Sequence, residues 1–287
     1  MEWTPGGANE DVEDRRNESG GFGGGGGFRT GGLGIGGIII VGLLSLIFRQ
    51  NLFTLFSGDQ TTQSVRGVPD PARDAQERPE VDFVKFVLKD VQDNWDRVLP
   101  QETGRPYRHA KLVLFRNAFP SGCGLAKDAI GPFYCPADEK VYLDLSFFDE
   151  MRNRFRAPGE FAQAYVIAHE IGHHLQKILG IESQVRRLQQ ARPDAANPLS
   201  VRLELQADCF SGVWAHSTAQ RRLINERDVE SALGAAAAVG DDRIQRMARG
   251  RVSPESFTHG SSAQRTGWFK RGLETSQLSA CDTFQRQ

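Results

Sequence analysis

The segment AYVIAHEIGHHLQ, residues 164–176, decides how the rest of the chain is read. Apolar Tyr165, Val166, Ile167 and Ile171 surround its polar residues. The pattern predicts a partly buried helix, placed over Glu160 to Leu179. At 3.6 residues per turn, positions four apart lie about 40° apart, so His169 and His173 point the same way. Two imidazole nitrogens so placed can hold one Zn²⁺. Glu170 sits beside such a metal, where it can take a proton from a zinc-bound water and pass it to a leaving amine. His174 lies about 140° round from His169 and is expected to face away. Gly172 allows close approach of another backbone.

A hydrolytic zinc site needs a third protein ligand and an open position. LELQADCFSGVWA, residues 203–215, offers Glu204 and Asp208 on one helical face. Apolar Leu203, Leu205, Ala207, Phe210, Val213 and Trp214 around the pair argue for burial. Two buried carboxylates without a cation would be costly. Glu204 is therefore the candidate third ligand. Asp208 is expected to accept a hydrogen bond from the far nitrogen of a ligand His, fixing its tautomer.

Outward from this centre, a helical pattern runs from Val81 to Pro100, and Lys111 to Arg116 is a short β-type run. Phe133 to Cys135 and Lys140 to Leu145 suggest a hairpin. Helices are expected over Ser146–Arg154, Leu199–Arg222, Glu226–Met247 and Ser262–Glu274. A small sheet followed by a run of helices is the α+β order, here mainly helical. KVYLDL (140–145) is expected to be an edge strand that an extended peptide could join, with Asp144 as a surface contact.

The chain has 287 residues, a net charge of −1, 39% hydrophobic residues and 31 glycines. Residues 1–31 hold a mixed charge run and a glycine tract, and read as a disordered tail. From Gly32 to Phe48 the chain is apolar and uncharged between Arg29 and Arg49, so 32–48 is expected to be one transmembrane signal anchor. Gly32 and Gly36 form a GxxxG pair that could support a weak homodimer. Residues 49–80 read as a flexible stalk, and 81–287 as the folded domain. The near-zero charge and the absence of a basic stripe exclude nucleic acid as a partner.

Four cysteines lack C-x-x-C spacing, so a second zinc site is not expected. The favoured pairing is Cys123–Cys135 and Cys209–Cys281, with four reduced thiols as the alternative. Disulfides persist outside the cytosol. With the slight charge bias around the span, they place the N-terminus in the cytoplasm and the domain on the periplasmic or extracellular face of a bacterial inner membrane.

H-E-x-x-H followed by E-x-x-x-D resembles the gluzincin metallopeptidases. Nearly the whole chain resembles a bacterial family of neutral zinc metallopeptidases with one N-terminal span, through NEDVEDRRN (9–17), AHEIGHHLQ (168–176), ELQADCFSGVWA (204–215) and THGSSAQR (258–265). The resemblance implies a zincin-like fold, one catalytic Zn²⁺ and a protein or peptide substrate. By the same analogy His259 or Arg265 would stabilise the oxyanion of a tetrahedral intermediate. The competing reading is that Thr258 or Ser261 caps the last helix and His259 is a surface loop residue. Gly260 stands where relatives often have Pro. The rival function is a catalytically silent, zinc-stabilised module that holds a peptide or envelope partner.

Overall fold

The structure, a computed structural model, describes residues 1–5, 9–18, 69–127 and 131–285. A four-stranded sheet has the order β1 (Val12–Asp14), β2 (Lys111–Phe115), β6 (Lys140–Asp144), β5 (Phe133–Cys135). β1, β2 and β6 are parallel, and β5 runs antiparallel to β6. β3 (Ala118–Ser121) and β4 (Gly124–Lys127) form a separate hairpin. Side chains alternate across the sheet. Leu112, Leu114, Val141 and Leu143 join the main core under the helices. Val113, Phe115, Tyr142 and Cys135 pack on the other face against Ala126 of the hairpin.

Eight helices follow or flank the sheet among the described residues: α1 (Pro71–Thr103), α2 (Ser146–Asn153), α3 (Glu160–Leu179), α4 (Ile181–Ala191), α5 (Ala196–Gln220), α6 (Glu226–Ala238), α7 (Asp241–Arg249) and α8 (Ser262–Thr275). The α+β order holds, and α3 has the bounds expected from its apolar pattern. It is the central helix, packed by α1, α5, α6 and β5. α5 crosses it at Gly172, where a Cβ would meet the Ala207 Cα at 3.0 Å. α8 lies so close along α5 that Gly272 has no room for a Cβ against the Cys209 carbonyl. These two close approaches bring α5 and α8 to one side of the H-E-x-x-H motif. The disulfides Cys123–Cys135 and Cys209–Cys281 both form, the second tying the C-terminal turn to α5.

Several expectations are corrected. β6 lies between β2 and β5, so KVYLDL is an interior strand and β5 is the edge. Asp144 is buried and accepts from the Asn117 N–H at 2.8 Å and the Ser146 N–H at 2.9 Å, so it shapes a turn rather than meeting a partner. Residues 71–80 are helix, not stalk. Asp70 caps α1 by accepting from the Arg73 N–H, and Pro71 at the first turn already has a helical φ. α1 also runs past Pro100 and ends at Gly104, in the left-handed conformation. The helix expected over 226–247 is broken at Gly240, where a Cβ would collide with Ser262. The N-terminal residues expected to be disordered include β1, and Arg16 is buried. The run at 32–48, with Gly32 and Gly36, lies outside the described residues. Among the described residues no helix is long and apolar enough to cross a membrane.

Candidate metal centre

His169 and His173 project from α3 towards Glu204 on α5. One ligand atom from each lies within 4.8 Å of the others. His169 Nε2 is 3.2 Å from Glu204 Oε2, and His173 Nε2 is 3.6 Å from Glu204 Oε1. The three expected ligands therefore converge, and the reason each imidazole offers Nε2 is visible. His169 Nδ1–H donates to Asp208 Oδ1 at 2.9 Å. His173 Nδ1–H donates to Gln176 Oε1 at 2.9 Å. Each ring thus has its proton fixed on the far nitrogen and its near nitrogen free to ligate. Two nitrogens and a carboxylate with an open position are the donor set of a hydrolytic Zn²⁺ site, so the residues present fit that ion.

Asp208 is fully buried and takes four hydrogen bonds. Besides His169, it accepts from the Tyr165 hydroxyl at 2.5 Å, Arg265 Nε at 2.8 Å and Arg265 Nη2 at 2.9 Å. Burial raises its pKa, but Arg265 and His169 outweigh this and hold the carboxyl below its ordinary value. Arg265 is thereby engaged with Asp208. Its guanidinium also donates to the Val239 carbonyl at 3.3 Å and stands 3.8 Å from Glu204 Oε2. In this position Arg265 can orient the Asp208–His169 pair, and its Nη2 also stands 3.4 Å from His169 Nε2, on the ligand side.

Gln176 is itself held. Its Nε2 donates to the Leu203 carbonyl at 2.7 Å and to Gln206 Oε1 at 3.2 Å, and Gln206 Nε2 donates to the Cys281 carbonyl at 3.0 Å. The chain from His173 therefore ends at a disulfide cysteine.

Glu170 is buried beside the ligands. Burial raises its pKa, while His173, His169 and a backbone hydrogen bond from Tyr134 on β5 oppose the rise. Burial also works against the Glu204 charge, but His173 and His169 overcome it and hold Glu204 well below the usual carboxylate range. Conversely Asp208 and Glu204 outweigh burial at His169 and push it up to about 9.

His259 lies on the loop before α8. Asp241 gathers that loop, its Oδ2 accepting from the backbone N–H groups of Thr258 (2.7 Å), His259 (2.6 Å) and Gly260 (3.0 Å). Asp241 Oδ1 lies 3.1 Å from His259 Nδ1. Burial lowers the His259 pKa, but Asp241 and the charge of Glu204 raise it overall. Gly260 takes φ +89°, which Pro could not adopt. Ser261 caps α8 in a reciprocal pair with Gln264. The capping reading of this segment therefore holds for Ser261, while the His259 ring is held by Asp241 Oδ1 and the Thr258 hydroxyl, each at 3.1 Å.

His174 faces away from the metal ligands and is buried. Its Nε2–H donates to the Arg108 carbonyl at 2.6 Å and its Nδ1 accepts from the Tyr134 hydroxyl at 2.9 Å. It thus fixes the edge strand β5 against α3. Tyr165, Gln176 and Tyr134 were not singled out from the sequence. The first two stand four residues before His169 and three after His173, so helical spacing could have found them; Tyr134 has no such signal.

Residues 1–284 match the family described as "Putative neutral zinc metallopeptidase". The uncharacterized protein YpfJ of Escherichia coli (strain K12) is 47% identical over 290 residues, covering 99% of each chain. An uncharacterized protein of Mycobacterium tuberculosis (strain ATCC 25618 / H37Rv) is 45% identical over 201 residues, 66% of each chain. No solved structure matches.

Proposed function

The chain belongs to the family of putative neutral zinc metallopeptidases, and from that premise we propose that it hydrolyses peptide bonds with Glu170 as general base. The observation that carries this reading is the convergence of His169 Nε2, His173 Nε2 and Glu204, each His locked in the ligating tautomer, with a buried Glu170 alongside. A bound Zn²⁺ supplies Lewis acidity, acidifying water and polarising a carbonyl.

The chain's own residues do the rest. Glu170, with its basicity raised by burial, takes the proton from the attacking water and returns it to the leaving amine. His173, 21% exposed, and Glu204 mark the solvent-facing side from which substrate enters. β5, whose Tyr134 N–H touches Glu170, is an edge along which an extended peptide can pair. His259, held by Asp241 beside Glu204, is the candidate donor to the developing oxyanion.

The two disulfides favour an oxidising compartment, so the domain works outside the cytosol. The apolar run 32–48 attaches it to the membrane. The test is proteome-wide sequencing of protein termini in cells carrying the wild-type chain or Glu170→Gln. New termini that depend on Glu170 support peptidase action. Identical termini, with the biological activity retained, favour the silent binding module.

A further inference from the structure

We infer that the peptide taken by this site carries an Asp or Glu side chain about three residues from the bond held beside Glu170, read by Arg156, Arg243 and Arg246. The inference deepens the peptidase reading and rests on it for where the cut bond lies.

The open face of α3 gives the direction of the groove. Gln163, Val166 and Glu170 keep 6–8% exposure and the His173 side chain 21%, at steps of three and four residues. Between them Ala164, Tyr165, Ile167 and Ala168 are closed to 0–1%. One helical stripe therefore meets solvent, and it runs from the metal ligands to the N-terminal end of α3. From Glu170 to Gln163 the helix rises about 10 Å, which an extended peptide spans in about three residues.

Residues 155–159 lead into that end of α3, and both walls of the site reach them. On one side Gly131 stands just before β5. A Cβ there would lie 3.3 Å from the Phe147 ring, which packs on Phe155 with 6.3 Å between centroids. On the other side α7 begins at Asp241, which holds the loop of residues 258–260. In that loop a Cβ on Gly260 would lie 3.2 Å from Val201 and 3.3 Å from Leu205, which flank Glu204 on α5. Near the start of α7, Arg243 Nη2 donates to the Phe155 carbonyl at 3.1 Å. Arg156 follows that carbonyl directly. It takes φ +50°, the left-handed region, in a turn closed by the Ala157 N–H on the Met151 carbonyl at 2.9 Å.

The charge at this end is unmatched. Arg243 and Arg246 stand one turn apart on the same face of α7. Arg156 and Arg246 are exposed, and among the described residues no carboxylate pairs with Arg156, Arg243 or Arg246. The nearby carboxylates are already engaged. Asp241 takes the backbone of the 258–260 loop, and Asp242 takes the Ser262 N–H and hydroxyl, each at 2.7 Å. Other cations around the site do have partners: Arg265 pairs with Asp208, and Arg154 with Glu150. Guanidinium groups bind carboxylates through two parallel hydrogen bonds, so an acidic side chain on the peptide supplies what this end of the groove lacks. A Lys or Arg at the same place would be repelled.

The test uses the full chain as Glu170→Gln, loaded with zinc, so that bound peptides stay whole. The probes are two pools of short, unstructured fluorescent peptides of neutral residues. One pool carries a single Asp or Glu, and the other Asn or Gln in its place. The acidic pool should bind about 10-fold more tightly at low salt, and the gap should shrink as salt is raised. Replacing Arg156, Arg243 and Arg246 together by Gln should abolish the preference. Arg246→Glu alone, at an exposed position with no partner to lose, should weaken binding of the acidic pool and leave the unfolding midpoint in place. In the wild type, cut peptides should carry the acid about three residues from the cut, always on the same side. Equal binding of the two pools, binding of neither, or a preference that survives both variants would overturn the inference. A wild type that prefers the acidic pool yet leaves it whole would uphold the acidic docking and sink the peptidase reading, so the two failures are distinct.

Discussion

Asp208→Asn separates the orientation of the zinc site from its ligation. The substitution keeps the side chain's shape and removes its charge. Asp208 now takes four hydrogen bonds, from Tyr165, His169 and two nitrogens of Arg265. In the variant the Arg265 guanidinium, 3% exposed, loses its paired anion; it keeps the Val239 carbonyl at 3.3 Å, and the nearest remaining carboxylate is Glu204 at 3.8 Å. Breaking one partner of a buried pair costs about 3–5 kcal/mol. For a domain of about 200 residues each kcal/mol moves the unfolding midpoint by about 2–4 °C, so the fall should be about 6–20 °C. Losing the carboxylate behind a ligand His should also weaken zinc binding by about 10–100-fold. Calorimetry on the metal-free full chain measures the first effect, and competition with a chromophoric chelator the second. The double variant Asp208→Asn with Arg265→Met should regain most of the stability, because no buried charge is left unpaired, without regaining zinc affinity. An unchanged midpoint and affinity in Asp208→Asn, or affinity restored in the double variant, would refute the reasoning.

Gln176→Ala should lower zinc affinity by about 10–100-fold with little change in fold, since His173 loses the acceptor that fixes its tautomer; the same chelator competition reads it. Replacing Cys209 and Cys281 by Ser should destabilise the chain by about 4 kcal/mol, the loop-closure value for a separation of 72 residues, measured by denaturant titration. His109 lies between Asp96 and Asp11, which outweigh burial and raise its pKa above 6.5. Because the folded pKa is the higher one, this contribution is complete below pH 6.5 and is lost as pH rises through the folded value. The unfolding midpoint should therefore drop over that window in the wild type and lose that step in His109→Gln. Glu170→Gln should keep zinc and lower peptide cleavage by about 10²–10⁴-fold.

The central helix and its three ligands were legible because one period governs everything that matters there. Apolar positions, both His and the Glu204–Asp208 pair all follow 3.6-residue spacing, and burial of the carboxylates follows from their apolar neighbours. Long-range partners left no such trace. NEDVEDRRN reads as a solvated charge run because its partners, Glu77, Asp74 and Lys140, stand far along the chain, and a three-residue strand is too short to show alternation. KVYLDL alternates as an edge strand would, yet Tyr142 and Asp144 are covered by the β3–β4 side of the sheet and its turns. α4 was missed although Ile181, Val185 and Leu188 fall at helical spacing, because three apolar residues in an otherwise polar stretch make a short stripe, and of them only Val185 is buried. Arg265 was visible as a motif residue, but its role depends on α8 lying against α5, which Gly212 and Gly272 permit and no local pattern announces.

The most direct measurement is made on the purified full chain loaded with zinc. Metal content and cleavage of an unstructured peptide library are followed by mass spectrometry in the wild type, in Glu170→Gln and in His173→Ala. The account predicts one zinc per wild-type chain with peptide cleavage, one zinc without cleavage in Glu170→Gln, and loss of both in His173→Ala. Cleavage that persists in Glu170→Gln, or a zinc-loaded wild type that cuts nothing in the library while binding its peptides, would contradict it.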